Sequence, residues 1–256
     1  MRYKLILSYD GSSFCGWQVQ TKDSSVQGCI QDALKTLLGE EIPVTGAGRT
    51  DTGVHAIGYC AHFDSSKELD ASALCYKLNA ILPVSVRIHS ISTVGEDFHA
   101  RFGATSRSYM YFLHREKDPF MEKRSWRCGY PLDIEEMNRA ASMILGTHDF
   151  SCFEKTGGNN KTSICTITKA EWTTYVPDHV RMMGFTPSSP DCYLVFTITA
   201  DRFLRNMVRA VTGTLVDIGR GKHPAEWILE VMASHDRCAA GESVPGHALF
   251  LVDVKY

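Results

Sequence analysis

The chain has 256 residues, 44% of them hydrophobic, and carries 27 basic against 29 acidic residues for a formal net charge of −2. That length fills one large domain or two ordinary ones without disulfide support, and the near-neutral balance excludes a nucleic-acid binder driven by bulk positive charge alone. The nine cysteines are scattered singly, odd in number and without a Cys-x-x-Cys pair, which excludes a zinc site or a disulfide framework and predicts the reduced thiols of a cytoplasmic protein.

Residues 1–10 alternate like a strand and contain no long apolar run of the kind that exports a chain, and no later stretch approaches the length of a membrane span. The expectation is a soluble protein that is not exported. Ser24-Ser25 offers an N-cap to a helix over 26–38, with Val26, Ile30, Ala33, Leu34, Leu37 and Leu38 as its apolar stripe and Gly39 as its stop. A glycine-rich stretch follows at 46–56, then a strand over 58–63. A helix near 70–80 carries Leu74 and Leu78 on one face before Pro83 ends it, and 84–92 reads as another strand.

A second half opens at about residue 105 with Ser106-Arg107-Ser108-Tyr109-Met110-Tyr111, whose alternation puts Arg107, Tyr109 and Tyr111 on one polar, aromatic face. A helix over 134–145, a polar glycine-rich loop over 155–162 and a hairpin-like pair at 164–175 and 193–200 follow. Between the pair, 176–191 with Pro177, Pro187 and Pro190 reads as an inserted surface loop. A last helix is expected from near Asp201 to 219–221, with Phe203, Met207, Val211 and Leu215 as core stripe and Arg202, Arg205 and Arg209 as a basic ridge beside it. Strands followed by helices, twice over, predict an α+β protein of two related halves, 1–104 and 105–256, rather than a doubly wound parallel sheet.

The charge is clustered. Between 101 and 127, Arg101, Arg107, Arg115, Lys117, Lys123, Arg124 and Arg127 face only three acids, and Arg202, Arg205, Arg209, Arg220 and Lys222 meet only Asp201 and Asp217. Solvated surface charge accounts for either cluster alone about as well as a nucleic-acid face does.

The stretch Gly46-Ala47-Gly48-Arg49-Thr50-Asp51-Thr52-Gly53-Val54-His55-Ala56 is the strongest candidate for chemistry. Its three glycines suggest a sharp loop with Asp51 at the bend, and neither Asp51 nor Arg49 has an apolar reason to be buried. A dinucleotide fingerprint fails because Asp51 occupies the third glycine position, where its charge opposes a pyrophosphate. A Walker A loop fails for want of Gly-Lys-Ser/Thr. Asp51-Thr52-Gly53 matches the active-site triplet of aspartic proteases, but those pair two carboxylates and this chain has a single triplet, so a protease is a weak alternative. The histidines His55, His62, His99 and His148 show no metal-ligand spacing and read as structural.

This loop resembles the Gly-Ala-Gly-Arg-Thr-Asp-Ala-Gly-Val-His-Ala loop of the tRNA pseudouridine synthase A family, with Thr52 in place of the usual alanine. Tyr9-Asp10-Gly11, Gly16-Trp17-Gln18-Val19-Gln20, Leu78-Asn79 with Leu82-Pro83, Phe98-His99-Ala100-Arg101, Arg107-Ser108-Tyr109, Gly146-Thr147-His148-Asp149-Phe150, Phe203-Leu204-Arg205-Asn206-Met207-Val208-Arg209 and Leu249-Phe250-Leu251 are similar to family segments in family order. Gly246-His247-Ala248-Leu249 and a longer 176–191 loop are the departures. The resemblance implies a pseudouridine synthase fold, α+β, with two lobes sharing a large mixed, mainly antiparallel sheet flanked by helices. It implies a homodimer that isomerises uridine to pseudouridine in the anticodon stem-loop of tRNA, at about positions 38 to 40, with no metal and no cofactor. On the same ground Asp51 is the nucleophile, Arg205 its partner, Tyr109 the residue that packs against or deprotonates the base, Arg49 the side chain that enters the RNA, and Leu249 part of the uracil wall. Arg101, Arg107, Arg202 and Arg209 are further candidates for RNA contact.

Uridine isomerisation breaks the N1 to C1′ bond and joins C5 to C1′. An anionic Asp51 serves by attacking sugar or ring or by taking a sugar proton, and the final C5 proton can go to Tyr109, Asp51 or water. A tRNA-binding module without catalysis is the alternative from another class, and Asp51 is the residue that separates the two.

Overall fold

In β1 (Arg2–Tyr9), Tyr3, Leu5, Leu7 and Tyr9 are all buried and the residues between them are not, because successive side chains of a pleated strand leave on opposite faces. The computed structural model describes residues 1–21, 23–157 and 161–256, and the chain divides into two units, Met1–Ser106 with Phe250–Tyr256, and Arg107–Leu249. The elements of the first are β1, α1 (Val26–Leu38), β2 (Thr45–Gly46), β3 (His55–Asp64), α2 (Ala71–Ile81) and β4 (Val86–Val94). The second follows with β5 (Ser106–His114), β6 (Trp126–Arg127), α3 (Ile134–Met143), β7 (Gly146–Asp149), β8 (Ile164–Thr174), α4 (Asp178–Met182), β9 (Tyr193–Ala200), α5 (Met207–Gly219) and α6 (Trp227–Ser234), before β10 (Leu249–Lys255) returns the chain to the first. Strands and helices in these numbers make an α+β protein, and no described helix is long and apolar enough to cross a membrane.

In the first unit β1 lies between β3 and β4, antiparallel to both, with Tyr9 opposite Ala56 and Val86. β10 runs parallel to β3 on its other side, Phe250 opposite His55. The Ser25 hydroxyl caps α1 by accepting from Gly28 N at 3.2 Å, and Gly39 closes the helix in the left-handed region at φ 75°. Asp70 caps α2 by accepting from Ser72 N and Ala73 N, both at 3.0 Å. The Asn79 amide then ties α2 to β4, donating to Ile88 O at 2.8 Å and accepting from Ile88 N at 2.9 Å.

In the second unit β5, β9, β8 and β7 form an antiparallel run in that order, with β6 parallel to β5. Trp172 on β8 is fully buried and stacks on Phe196 of β9 at 5.1 Å, while α3 packs on β8 and α5.

Three expectations need correction. The helix foreseen from Asp201 begins at Met207, because Asn206 sits at φ 66° and the Asp201 carboxylate folds back to accept from Arg202 N at 2.7 Å and Thr166 N at 2.8 Å. Arg202 and Arg205 therefore lie on a loop, and the helical basic ridge does not exist. Nor is α5 the last helix: α6 follows, without a side-chain cap to announce it. The 176–191 insert holds α4, whose Val180 packs with Met121, Cys192 and Tyr193 and whose neighbour His179 meets Asp118 at 2.9 Å. Of the polar loop expected at 155–162, residues 158–160 lie outside the described residues.

Candidate active site

Asp51 is half-buried at the turn between β2 and β3, and the loop around it is fastened from beneath by the segment that follows β1. Tyr9 Oη and Thr50 Oγ1 share a buried hydrogen bond of 2.9 Å, Trp17 N donates to Thr50 O at 3.2 Å, and Gly53 N donates to Phe14 O at 3.4 Å. Val54 N closes the turn on Asp51 O at 3.2 Å. Thr50 and Gly53, on either side of Asp51, are thus tied to the chain between Tyr9 and Trp17, which is what holding one carboxylate in one place requires.

Glycine is demanded where two backbones meet. A Cβ on Gly11 would stand 2.6 Å from the Val54 carbonyl carbon and nearer still to its oxygen, and a Cβ on Gly46 would stand 2.6 Å from the Trp17 ring. Gly53 takes φ 79°, which L side chains rarely adopt. Gly48 is different, since a Cβ there would meet nothing within 4 Å and its φ is not positive. Its carbonyl accepts from the buried Tyr59 hydroxyl, whose ring stacks on Trp17 at 4.1 Å.

His55 is buried behind the loop. Its Nδ1 accepts from Gly11 N at 3.1 Å with Asp10 Oδ1 3.2 Å away, and its ring stacks on Phe250 of β10 at 4.4 Å. The sequence singled out Gly11, Gly16 and Trp17 only through resemblance. Their work in shaping the Asp51 loop shows in three dimensions, and the glycines between Tyr9 and Trp17 were the available signal.

Arg49 is exposed on the loop and lines a pocket of about 160 Å³ whose walls include Trp17, Gln18, Gln27, Gly48 and Arg101. Arg49 and Arg101, distant in sequence, are therefore brought together. Gln27 is committed to the wall itself, accepting from Val19 N at 3.0 Å and donating to Val44 O at 2.7 Å.

The remaining candidates belong to the second unit. Tyr109 on β5 is half-buried and meets Phe203 edge-on, centroids 5.1 Å apart at 89°. Tyr111 shares its strand face yet is fully buried, donates to Pro245 O at 3.0 Å, and is pushed well above the usual phenol range by burial. The two tyrosines that look equivalent in the sequence are thus a fully buried residue and a half-buried one. Arg205 is exposed, with one guanidinium nitrogen 3.3 Å from Thr156 O, and Arg107 donates to Asp201 O at 2.7 Å. Arg209 is half-buried on α5 and donates to Val244 O at 2.8 Å, so with Tyr111 it fixes the 244–245 segment that leads into the buried Leu249. Within the basic clusters, Arg115 pairs with Asp191 and Lys222 with Asp217 at 2.7 Å, while Arg220 lies 3.7 Å over the Tyr130 ring.

Residues 5–103 and 140–256 match a family model described as tRNA pseudouridine synthase. A protein named tRNA pseudouridine synthase A from Bacteroides thetaiotaomicron is 46% identical over 255 residues, covering 100% of this chain and 90% of that one. Proteins of the same name from Bacteroides fragilis and Acetivibrio thermocellus are 43% and 38% identical, with coverage of 100% and 99% of this chain and 96% and 98% of theirs.

Proposed function

The chain belongs to the tRNA pseudouridine synthase family, and from that premise we propose that it isomerises uridine to pseudouridine in the anticodon stem-loop of tRNA, at about positions 38 to 40, with Asp51 as the nucleophile. It is an isomerase acting on tRNA. The observation that supports the assignment of Asp51 is the fastening of Thr50, Gly53 and Val54 around it, on a loop whose Arg49 shares a pocket wall with Arg101.

The roles follow from residue chemistry. The target uridine must leave its stack, at a cost of a few kcal/mol that inserted and stacking groups offset. Arg49, exposed on the same loop, has the planar guanidinium to take the place of the flipped nucleotide, and Tyr109 has an accessible phenol ring on which the uracil stacks. A guanidinium such as Arg205 favours the ionised carboxylate of Asp51, and Leu249 supplies apolar wall to the uracil. Once the N1 to C1′ bond has broken and C5 has joined C1′, the C5 proton leaves to Tyr109, Asp51 or water and N1 gains one, so the reaction balances without an external reagent. Arg101, Arg107, Arg202 and Arg209 are the further candidates for the RNA backbone. The working form is a homodimer in the cytoplasm, and light scattering of the purified 28.5 kDa chain tests for twice that mass.

The decisive experiment incubates the protein with unmodified tRNA and maps pseudouridine by carbodiimide-dependent primer-extension stops. Stops at positions 38 to 40 are expected with the wild type and none with Asp51→Ala, whose tRNA affinity stays within a few-fold. Substantial turnover by Asp51→Ala refutes the catalytic assignment.

A further inference from the structure

Arg101 stands on a turn after β4 whose side-chain acceptor is an imidazole, where comparable turns among the described residues use a hydroxyl, at Ser65, Thr162 and Ser234, or a carboxylate. At Asp10, Asp70, Asp118, Asp149 and Asp236 a carboxylate oxygen accepts the N–H two residues on, at 2.8 to 3.0 Å. At the Arg101 turn a histidine does this. His99 Nδ1 accepts from Arg101 N and from Phe102 N, both at 3.1 Å, the pattern that Asp70 makes with Ser72 and Ala73.

The rest of the turn is built with equal care. His62 Nδ1 accepts from Ala100 N at 3.2 Å, Tyr256 donates to Ala100 O at 2.7 Å, Gly103 N donates to His99 O at 2.8 Å, and Arg2 donates to Phe98 O at 2.8 Å. The His99 ring meets His62 edge-on at 4.9 Å and lies against Phe102 at 4.5 Å. So much fastening serves an exposed arginine on the wall of the pocket that Arg49 shares.

An aspartate at position 99 would make the same turn, but it would set a negative charge two residues before Arg101. That charge pairs with the arginine and opposes a phosphate. Imidazole Nδ1 offers an acceptor of matching reach without charge. We propose that His99 is a positioning residue for RNA, supplying an uncharged acceptor that aims Arg101 at a phosphate of the substrate backbone beside the Arg49 loop. This deepens the reading of the chain as a tRNA-modifying enzyme and rests on it.

The test compares His99→Asn, His99→Asp and His99→Ala by tRNA dissociation constant, KM and kcat, with thermal melting to confirm folding. Asn keeps a neutral acceptor at the Nδ1 position, Asp keeps the acceptor and adds charge, and Ala removes the acceptor. His99→Asn is expected to bind tRNA within about twofold of wild type. His99→Asp and His99→Ala are expected to weaken binding and raise KM about tenfold, the worth of one charge-assisted hydrogen bond, with kcat unchanged. In an Arg101→Ala background, His99→Ala is expected to add nothing. Equal binding by His99→Asp and His99→Asn overturns the proposal, as does a full further loss from His99→Ala when Arg101 is already gone. The binding ranking needs no turnover, so a wild type that binds tRNA in this order but forms no pseudouridine would sink the enzymatic reading alone.

Discussion

Gly11→Ala isolates what the fastened loop does for catalysis. The new methyl would lie 2.6 Å from the Val54 carbonyl carbon, where ordinary contact begins at 3.4 Å, and closer still to the carbonyl oxygen, so Val54 must retreat by about 1 Å. Val54 N is the donor to Asp51 O at 3.2 Å, and the displacement passes straight to the carboxylate's own residue. Overpacking of this kind costs about 1 to 3 kcal/mol of stability, and an error of about 1 Å in a reacting group costs on the order of a hundredfold in rate. Gly39→Ala is the control, since Gly39 has φ 75° but open space around it and lies at the end of α1. It carries a comparable penalty, about 1 to 2 kcal/mol from the left-handed backbone, without reaching Asp51. Single-turnover pseudouridine formation and urea unfolding of both variants give the comparison: both lose stability, and only Gly11→Ala loses about a hundredfold in the chemical step. A Gly11→Ala enzyme that is destabilised yet reacts within a few-fold of wild type refutes the fastening account.

Other outcomes follow from the same geometry. Gly48→Ala meets no steric obstacle in the protein, so its melting temperature stays at the wild-type value while KM rises, because the missing side chain leaves room for RNA backbone; an unchanged KM counts against that approach. Burial, with the Arg2 guanidinium nearby, pulls the His62 pKa down to about 4 from its ordinary 6.5, so the unfolded chain takes up a proton that the folded one refuses. The stability this ring allows is full above pH 6.5 and falls by up to about 3 kcal/mol as pH drops towards 4, and urea midpoints of wild type and His62→Asn converge or cross over that range rather than running parallel. Four arginines each neutralising one phosphate would weaken tRNA binding roughly fiftyfold between 50 and 200 mM salt, and a dissociation constant indifferent to salt excludes the basic-face reading.

Much of this was legible in the chain because the signals were local. Ser25 and Gly39 bound α1 where cap chemistry says they should, and the alternation of Tyr3, Leu5, Leu7 and Tyr9 is a strand with one buried face. The glycines at 46 and 53 meet real demands of space and backbone. What escaped was decided at a distance. The apolar spacing from Phe203 to Leu215 runs through Asn206 without a break, yet the Asp201 carboxylate spends its acceptors on Thr166 N and Arg202 N, and Asn206 turns left-handed. Nothing near Arg101 in the sequence announces that it shares a wall with Arg49. Tyr109 and Tyr111 differ only in what covers them, and no periodicity separates a buried tyrosine from an accessible one two residues away.

The stacking of Phe250 on His55 has a consequence for the order of events in synthesis. All of residues 65–248 is translated between β3 and β10, the parallel strand that pairs with it. A ribosome will have released the Asp51 loop long before the residue that backs it exists, and closing so long an intervening stretch is a slow, late event in folding. The Asp51 carboxylate is therefore made early and seated late, which ties the setting of its loop to completion of β10.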